Sequence, residues 1–333
     1  MKKFIQTLKN IWSIDELRSK ITITLLLILV YRFGAHVSLP GIDPNKLDLT
    51  SAKKGLLGIF DTFAGGSFTN ASIFALGIMP YISASIFMQL LTIFVPQMQK
   101  IQKEGDSGRK KINQWTRYIT ALVTMFQAAA YVAYLKNVSR GALIEAYQPY
   151  FWISTVIVLT AGTLFVMWLG EKIQDKGLGN GTSIIIMVGI LARLPQSFIG
   201  ELGAKQTRGG GGLLLFLIEI AFLIVIVLGL ILLVQGIRKV PVSYAKQLVG
   251  NKSLAGARQF LPLKVNASGV MPIIFAQAIM FLPTLFSFTN LESGKGVARI
   301  FNDPSNIWYM TIYVIMVIAF TFLYTALIFN PKQ

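Results

Sequence analysis

Eight stretches of this chain, at about 21–39, 71–95, 116–135, 151–169, 183–200, 213–235, 269–288 and 307–329, are apolar without the helical periodicity that would give one face to water. A membrane crossing takes roughly 20 such residues. Hydrocarbon offers no partner to backbone N–H and C=O groups, so each stretch is expected to be a helix. The chain is 54% hydrophobic and 14% charged, whereas soluble domains carry about 25% charged residues. The fold class that follows is all-α, a polytopic membrane protein with eight spans. The fifth stretch is the least regular. Arg193 and Pro195 interrupt it and only Thr182 to Ala192 is cleanly apolar, which suits a span buried among others.

The formal net charge of +17 does not form one soluble basic face. Of the 31 Lys and Arg residues, twenty fall in the N-terminal segment and alternate gaps and eleven in the others, which puts both ends of the chain in the cytoplasm by the positive-inside rule. Asp15 and Glu16 precede the first apolar run, which has no small-residue cleavage site, so this segment reads as retained. The two long cytoplasmic loops, 96–116 and 236–268, are dense in cations. Orientation with attraction to anionic lipid is one reading of them; a docking surface for a large, partly anionic partner is the other.

Catalysis finds little support. With no Cys there is no disulfide, thiolate metal site or cysteine nucleophile. His36, the single histidine, stands beside Pro40 without a carboxylate or second histidine at ligand spacing. The loop Gly177-Leu178-Gly179-Asn180-Gly181 lacks both the phosphate-loop and the dinucleotide spacing, and reads as a tight turn with Asn180 capping the next helix. Arg32, Arg193 and Glu219 are the charges within spans, all expected near span ends, whereas a proton-coupled or ion-coupled transporter would place paired charges at mid-depth.

One internal similarity stands out: residues 77–86, Gly-Ile-Met-Pro-Tyr-Ile-Ser-Ala-Ser-Ile, against 269–278, Gly-Val-Met-Pro-Ile-Ile-Phe-Ala-Gln-Ala. Each copy reads as a helix start with Pro in its first turn, one on the outer face and one on the cytoplasmic face. That opposition is the mark of an inverted repeat meeting around a pathway. Between the first two spans, residues 55–66 are too short to cross and too apolar for an exposed loop, with flanking glycines that let the segment bend back. It reads either as a plug occupying the pathway or as an interfacial helix lying on the membrane.

Five motifs in order resemble the SecY family: residues 76–86, Lys103 to Arg109, Gly177 to Ser183, Pro241 to Lys246, and Leu261 to Asn266. The resemblance covers essentially all 333 residues. It implies an inverted repeat of two five-helix halves around an hourglass pore, a protein-conducting channel that passes unfolded secretory polypeptides and releases hydrophobic segments sideways into lipid. Its pore ring would comprise Ile82 and Ile86 in the second span and Ile186 and Ile190 in the fifth. Each of these pairs is spaced i, i+4 and shares a helix face. In the seventh span the repeat favours Ile274, while depth favours Ile279.

The plug, 55–67, would comprise Leu56, Leu57, Ile59, Phe60, Phe63, Gly65 and Gly66, and the lateral gate Ser85, Gln89, Gln127 and Gln277. Arg109, Lys110, Arg238, Lys239, Lys246, Lys252 and Arg258 would dock the ribosome or the SecA motor ATPase. SecE would clamp the halves, with SecG peripheral and SecDF and YidC as further partners. The resemblance implies no cofactor, a passive channel rather than an enzyme, and residence in the bacterial inner membrane. On this reading 1–20 is a cytoplasmic segment, 21–202 the first half and 203–333 an incomplete second half of three spans, because family members have ten. A secondary transporter with inverted repeats is the alternative.

Overall fold

The computed structural model describes residues 2–43, 46–47, 56–138, 148–206, 212–243, 248–249, 252–253, 258–286 and 306–328. By compactness the chain divides into two units, one of residues 1–196 and 277–313, the other of 197–276 and 314–333.

The first unit holds α1 (Lys2–Ser13), α2 (Asp15–Gly34), α3 (Leu56–Phe63), α4 (Met79–Phe94), α5 (Pro96–Lys103), α6 (Asp106–Val138), α7 (Gln148–Lys176) and most of α8 (Gly181–Gln206). Asp15 and Glu16 occupy the first turn of α2, where carboxylates complement the helix dipole. Helix α6 packs against α4 and α7, and α7 against α2. A bidentate pair ties α6 to α7: Arg117 Nε and Nη2 donate to the two Glu171 carboxylate oxygens at 3.0 and 2.6 Å. The core gathers Leu39, Phe68, Ala71, Leu76, Tyr131, Leu135, Phe151 and Leu159. At the start of α8, Asn180 Oδ1 accepts the Ser183 N–H at 3.1 Å, the cap that the sequence suggests.

The window at 71–95 is not helical throughout, while the helix start that the repeat suggests, with Pro80 in its first turn, is found. Residues 64–78 are a buried run of turns, and the helix begins only at Met79, with Pro80 in its first turn. It ends because Val95 precedes Pro96 and takes an extended conformation, φ −104° and ψ 111°. Pro96 then starts α5 after a bend of 99°. The 16 residues of α4 rise about 24 Å, short of the roughly 30 Å hydrocarbon core. Burial in protein leaves the same apolar signature as exposure to lipid.

Among the described residues, five helices are each long and apolar enough to cross a membrane. They are α6, α7, α8, α9 (Gly212–Gln235) and α11 (Ile307–Ile328). Helix α2 falls outside that group because Arg18, Lys20 and Arg32 lie along it, and α4 and α10 (Met271–Phe286) have only 16 residues each. Helix α8 runs unbroken through Pro195 to Gln206, where the sequence suggests an interrupted span.

In the second unit, α9 is exposed along nearly its whole length at a mean hydropathy of 3.3, a surface that only lipid or another apolar partner can cover. Lys205, on α8, meets the Glu201 and Glu219 carboxylates, and Phe198 packs edge-on against Phe216 at 5.0 Å. Phe275 meets Phe320 and Tyr324 at 6.0 and 5.6 Å. The described residues of the basic loop include two antiparallel pairings. Strands β1 (Ile237–Ser243) and β4 (Arg258–Lys264) pair antiparallel from Ile237–Lys264 to Ser243–Arg258, and β2 (Leu248–Val249) pairs with β3 (Lys252–Ser253). Pro241 and Pro262 are tolerated because each strand of this two-stranded ribbon has a free edge.

Candidate functional site

The apolar segment between the first two spans folds as α3 and then reverses at Gly65 and Gly66, with φ of 65° and 92°. Those angles suit glycine and would strain other residues. Three helices hold this reversal. From α2, Arg32 Nη1 donates to the Gly65 carbonyl at 2.9 Å. From α6, the Tyr131 hydroxyl donates to the Phe68 carbonyl at 2.7 Å, with the two rings 4.7 Å apart. From α8, the Arg193 guanidinium pairs with the Asp61 carboxylate and donates to Thr69 Oγ1 at 2.8 Å.

Asp61 has a fully buried side chain, and Arg193 is 27% exposed. The Thr69 N–H and hydroxyl also donate to Asp61, at 2.9 and 3.0 Å, so the carboxylate is both neutralised and hydrogen-bonded. Removing one member of such a buried pair costs about 3–5 kcal/mol, because the other is left uncompensated. Backbone bonds close the turn itself, from Gly66 N–H to the Asp61 carbonyl at 2.9 Å and from Ser72 N–H to the Ser67 carbonyl at 3.0 Å.

Arg193 lies midway along α8 rather than near a span end. This corrects the expectation that Arg193 lies near a span end. The misreading has a physical origin: Pro195 and Arg193 together look like the end of an apolar run, although the helix continues. Asp61 carried the signal that could have found the pair. A lone carboxylate within Leu-Gly-Ile-Phe-Asp-Thr-Phe has to find a counter-charge.

The other residues suggested by sequence fall as follows. Phe63 is half-buried and Gly65 and Gly66 are buried; Leu56, Leu57, Ile59 and Phe60 lie on α3. Ile82 and Ile86 are buried on α4, Ile186 is half-buried on α8 and Ile190 is exposed. Ile274 and Ile279 are half-buried on α10, in different units. Gln89 Nε2 donates to Ser85 Oγ at 3.3 Å along α4, Gln127 is buried on α6 and Gln277 is half-buried on α10. Arg109, Lys110, Arg238 and Lys239 are exposed. Lys252 and Arg258 lie on β3 and β4, and Lys246 falls outside the described residues.

Residues 72–333 match the family model SecY. The protein translocase subunit SecY of Aquifex aeolicus is 40% identical over 98% of this chain and 77% of its own length. That of Thermus thermophilus is 39% identical over 98% and 76%. The chain thus spans about three quarters of the length of these relatives. Among solved structures, a protein-conducting channel superposes with a TM-score of 0.59 at 15% identity, covering 95% of this chain and 74% of that one. Sec61 in a canine ribosome-channel complex superposes with a TM-score of 0.56 at 15% identity, covering 91% and 71%. A SecY structure solved to show that the plug domain stabilises the closed state has a TM-score of 0.58 at 17% identity, covering 92% and 72%.

The seat of α3 can be tested directly. A Cβ on Gly189 of α8 would stand 2.5 Å from the Phe63 carbonyl oxygen, while one on Gly200 meets nothing within 4 Å. Gly189→Ala is therefore expected to destabilise by roughly 1–3 kcal/mol, lowering the thermal midpoint of the purified protein in detergent while Gly200→Ala leaves it in place. Equal midpoints for the two variants would remove α3 from this seat.

Proposed function

The chain belongs to the SecY family and is a multi-pass, protein-conducting membrane channel, and we propose that α3 and the following turn are its plug, seated in a pore that passes unfolded secretory polypeptides. The observation that carries this reading is the buried apolar reversal at 61–69, held from three surrounding helices. A membrane protein does not place a short apolar segment and a run of non-helical backbone inside its helices without a use for that space.

The pore ring proposed is Ile82, Ile86, Ile186 and Ile190, with Ile274 or Ile279 from α10. A narrow apolar constriction dewets and blocks ions, yet branched alkyl side chains offer a passing peptide nothing specific to hold. The seal is thereby indifferent to the sequence that crosses it. The lateral gate proposed lies between α4 and α10, with Ser85, Gln89, Gln127 and Gln277 as its polar members. The spans would number eight, arranged as one half at 21–202 and spans of the second at 203–333, with the N-terminus cytoplasmic and the bacterial inner membrane as the location.

The proposed energy source is a partner. A ribosome or the SecA ATPase would dock on Arg109, Lys110 and the β1–β4 ribbon, with SecE and SecG as companion subunits. Support for the ribosome comes from Sec61, which is found in a ribosome-channel complex. The ribbon is suited to such a surface because its strands present Arg238, Lys239 and Lys264 beside exposed Phe260 and Leu261.

Two outcomes are expected. Ile82→Asn, placing an amide at a position only 7% exposed, should hydrate the constriction and raise resting ion conductance in planar bilayers; conductance equal to the parent would exclude Ile82 from the ring. Reversing Arg238 and Lys239 together to Glu should weaken ribosome binding and flatten its salt dependence, as loss of phosphate contacts does. Unaltered affinity across a salt series would take the ribbon out of the interface.

A further inference from the structure

We propose that Asp61 and Arg193, joined through Thr69, form a latch that fixes how readily the plug leaves its seat, and so how strong a signal the channel demands before it opens. The inference rests on the reading of α3 as the plug. The ion pair adds to that reading a specific threshold, set by two charged side chains and one hydroxyl.

The geometry assigns the parts. Asp61 sits on α3 itself, while Arg193 belongs to α8, a long helix continuous from Gly181 to Gln206. Arg193 grips both ends of the reversal, pairing with Asp61 before it and donating to Thr69 after it. Thr69 in turn donates twice to Asp61, so the segment 61–69 is a closed polar ring with Arg193 as its outside member. Gly66 is part of the fit, because a Cβ there would meet the Arg193 Nη2 at 3.0 Å. Arg32 holds the same turn from another helix, by a single bond to a carbonyl. That bond carries no counter-charge, which makes the α8 contact the stronger of the two.

The environment gives the latch a further property. Opposite charges attract strongly in a dry, low-dielectric interior and weakly once water reaches them. With the plug in place Asp61 is fully buried, and the pair is strong. When a polypeptide begins to part the helices and water enters, the same pair weakens. Release then becomes abrupt: the latch resists partial opening and gives way once wetting starts. Arg193 and Asp61 act here as positioning residues, which hold α3 in its seat.

The test uses the full-length protein assembled with its natural partner subunits. Asp61→Asn, Arg193→Gln, the double variant and Arg193→Lys are compared in planar bilayers, and in secretion of a substrate with a weakened signal sequence. Each neutralisation is expected to raise resting conductance about tenfold or more, the size of effect that contacting charged groups produce. Each should also let the weakened substrate pass. Arg193→Lys, which keeps the charge, should remain near the parent. The double variant should leak no more than the worse single, because the two residues act as one unit.

Neutralised variants as tight as the parent, in a complex that conducts once residues 56–66 are deleted, would overturn the latch and leave the channel standing. A complex that conducts neither with that deletion nor with a polypeptide lodged in it would overturn the channel reading and the latch with it. Strictly additive leaks would show two independent residues and overturn the coupling. Should a neutralised complex fail to assemble, Thr69→Val decides the matter: it removes only the shared hydroxyl, a smaller leak supports the latch, and none refutes it.

Discussion

Hydrocarbon leaves backbone N–H and C=O groups without partners, and the arrangement of this chain follows from that deficit. Most of it is answered by helices that bond internally. The exception is the run at 64–78, which lies largely buried without being helical and is tolerated because many of its backbone groups find partners in turns and on neighbouring segments. Leu39 N–H donates to the Ala71 carbonyl at 2.8 Å and Ile73 N–H to the Val37 carbonyl at 2.9 Å, a short bridge to the chain following α2. Tyr131 and Arg32 take the carbonyls of Phe68 and Gly65. Such a segment can exist only where helices surround it, so its presence implies an interior built to receive it.

Charge follows the same logic at higher stakes. Asp61 is the one buried carboxylate in the apolar segment, and its partner stands midway along α8, not at a wetted end. A buried pair adds little net stability over apolar side chains, but losing either member leaves the other uncompensated and is strongly destabilising. That asymmetry suits a closure that must be firm at rest and still yield. It also separates this pair from the proton relay of a transporter: the carboxylate is engaged by Arg193 and Thr69, with no second carboxylate or histidine bonded to it among the described residues.

Much of the fold was legible from apolarity alone: the windows at 116–135, 151–169 and 213–235 lie inside α6, α7 and α9, and α11 lies inside the window at 307–329. The start of α4 was legible from the repeat, which puts Pro80 in a first turn, but not from apolarity, since Ala71 to Ile78 is as apolar as a span and differs only in what covers it. Chain geometry settles that difference: φ is positive at Ala71 and Gly77, and no helix runs through such angles. The β1–β4 ribbon was hidden for another reason. Its prolines and cations disguise the strand pattern, and pairing between residues as distant as Ile237 and Lys264 leaves no local period to read. The segment at 55–66 was visible as a short apolar stretch between glycines, but its anchoring was not. Arg32 and Arg193 are far from it in sequence, and only the fold brings them to Gly65 and Asp61.

The central claim is that α3 fills the pathway at rest and leaves it when a polypeptide enters. The absence of cysteine and the contact between the Phe63 carbonyl and Gly189 make this measurable at one position. A photo-cross-linking residue in place of Phe63, in the assembled translocase, should give peptides joined to α8 in the resting channel. These should disappear when a stalled secretory chain is lodged in it. Cross-links to α8 that persist in full with the chain in place would contradict the account.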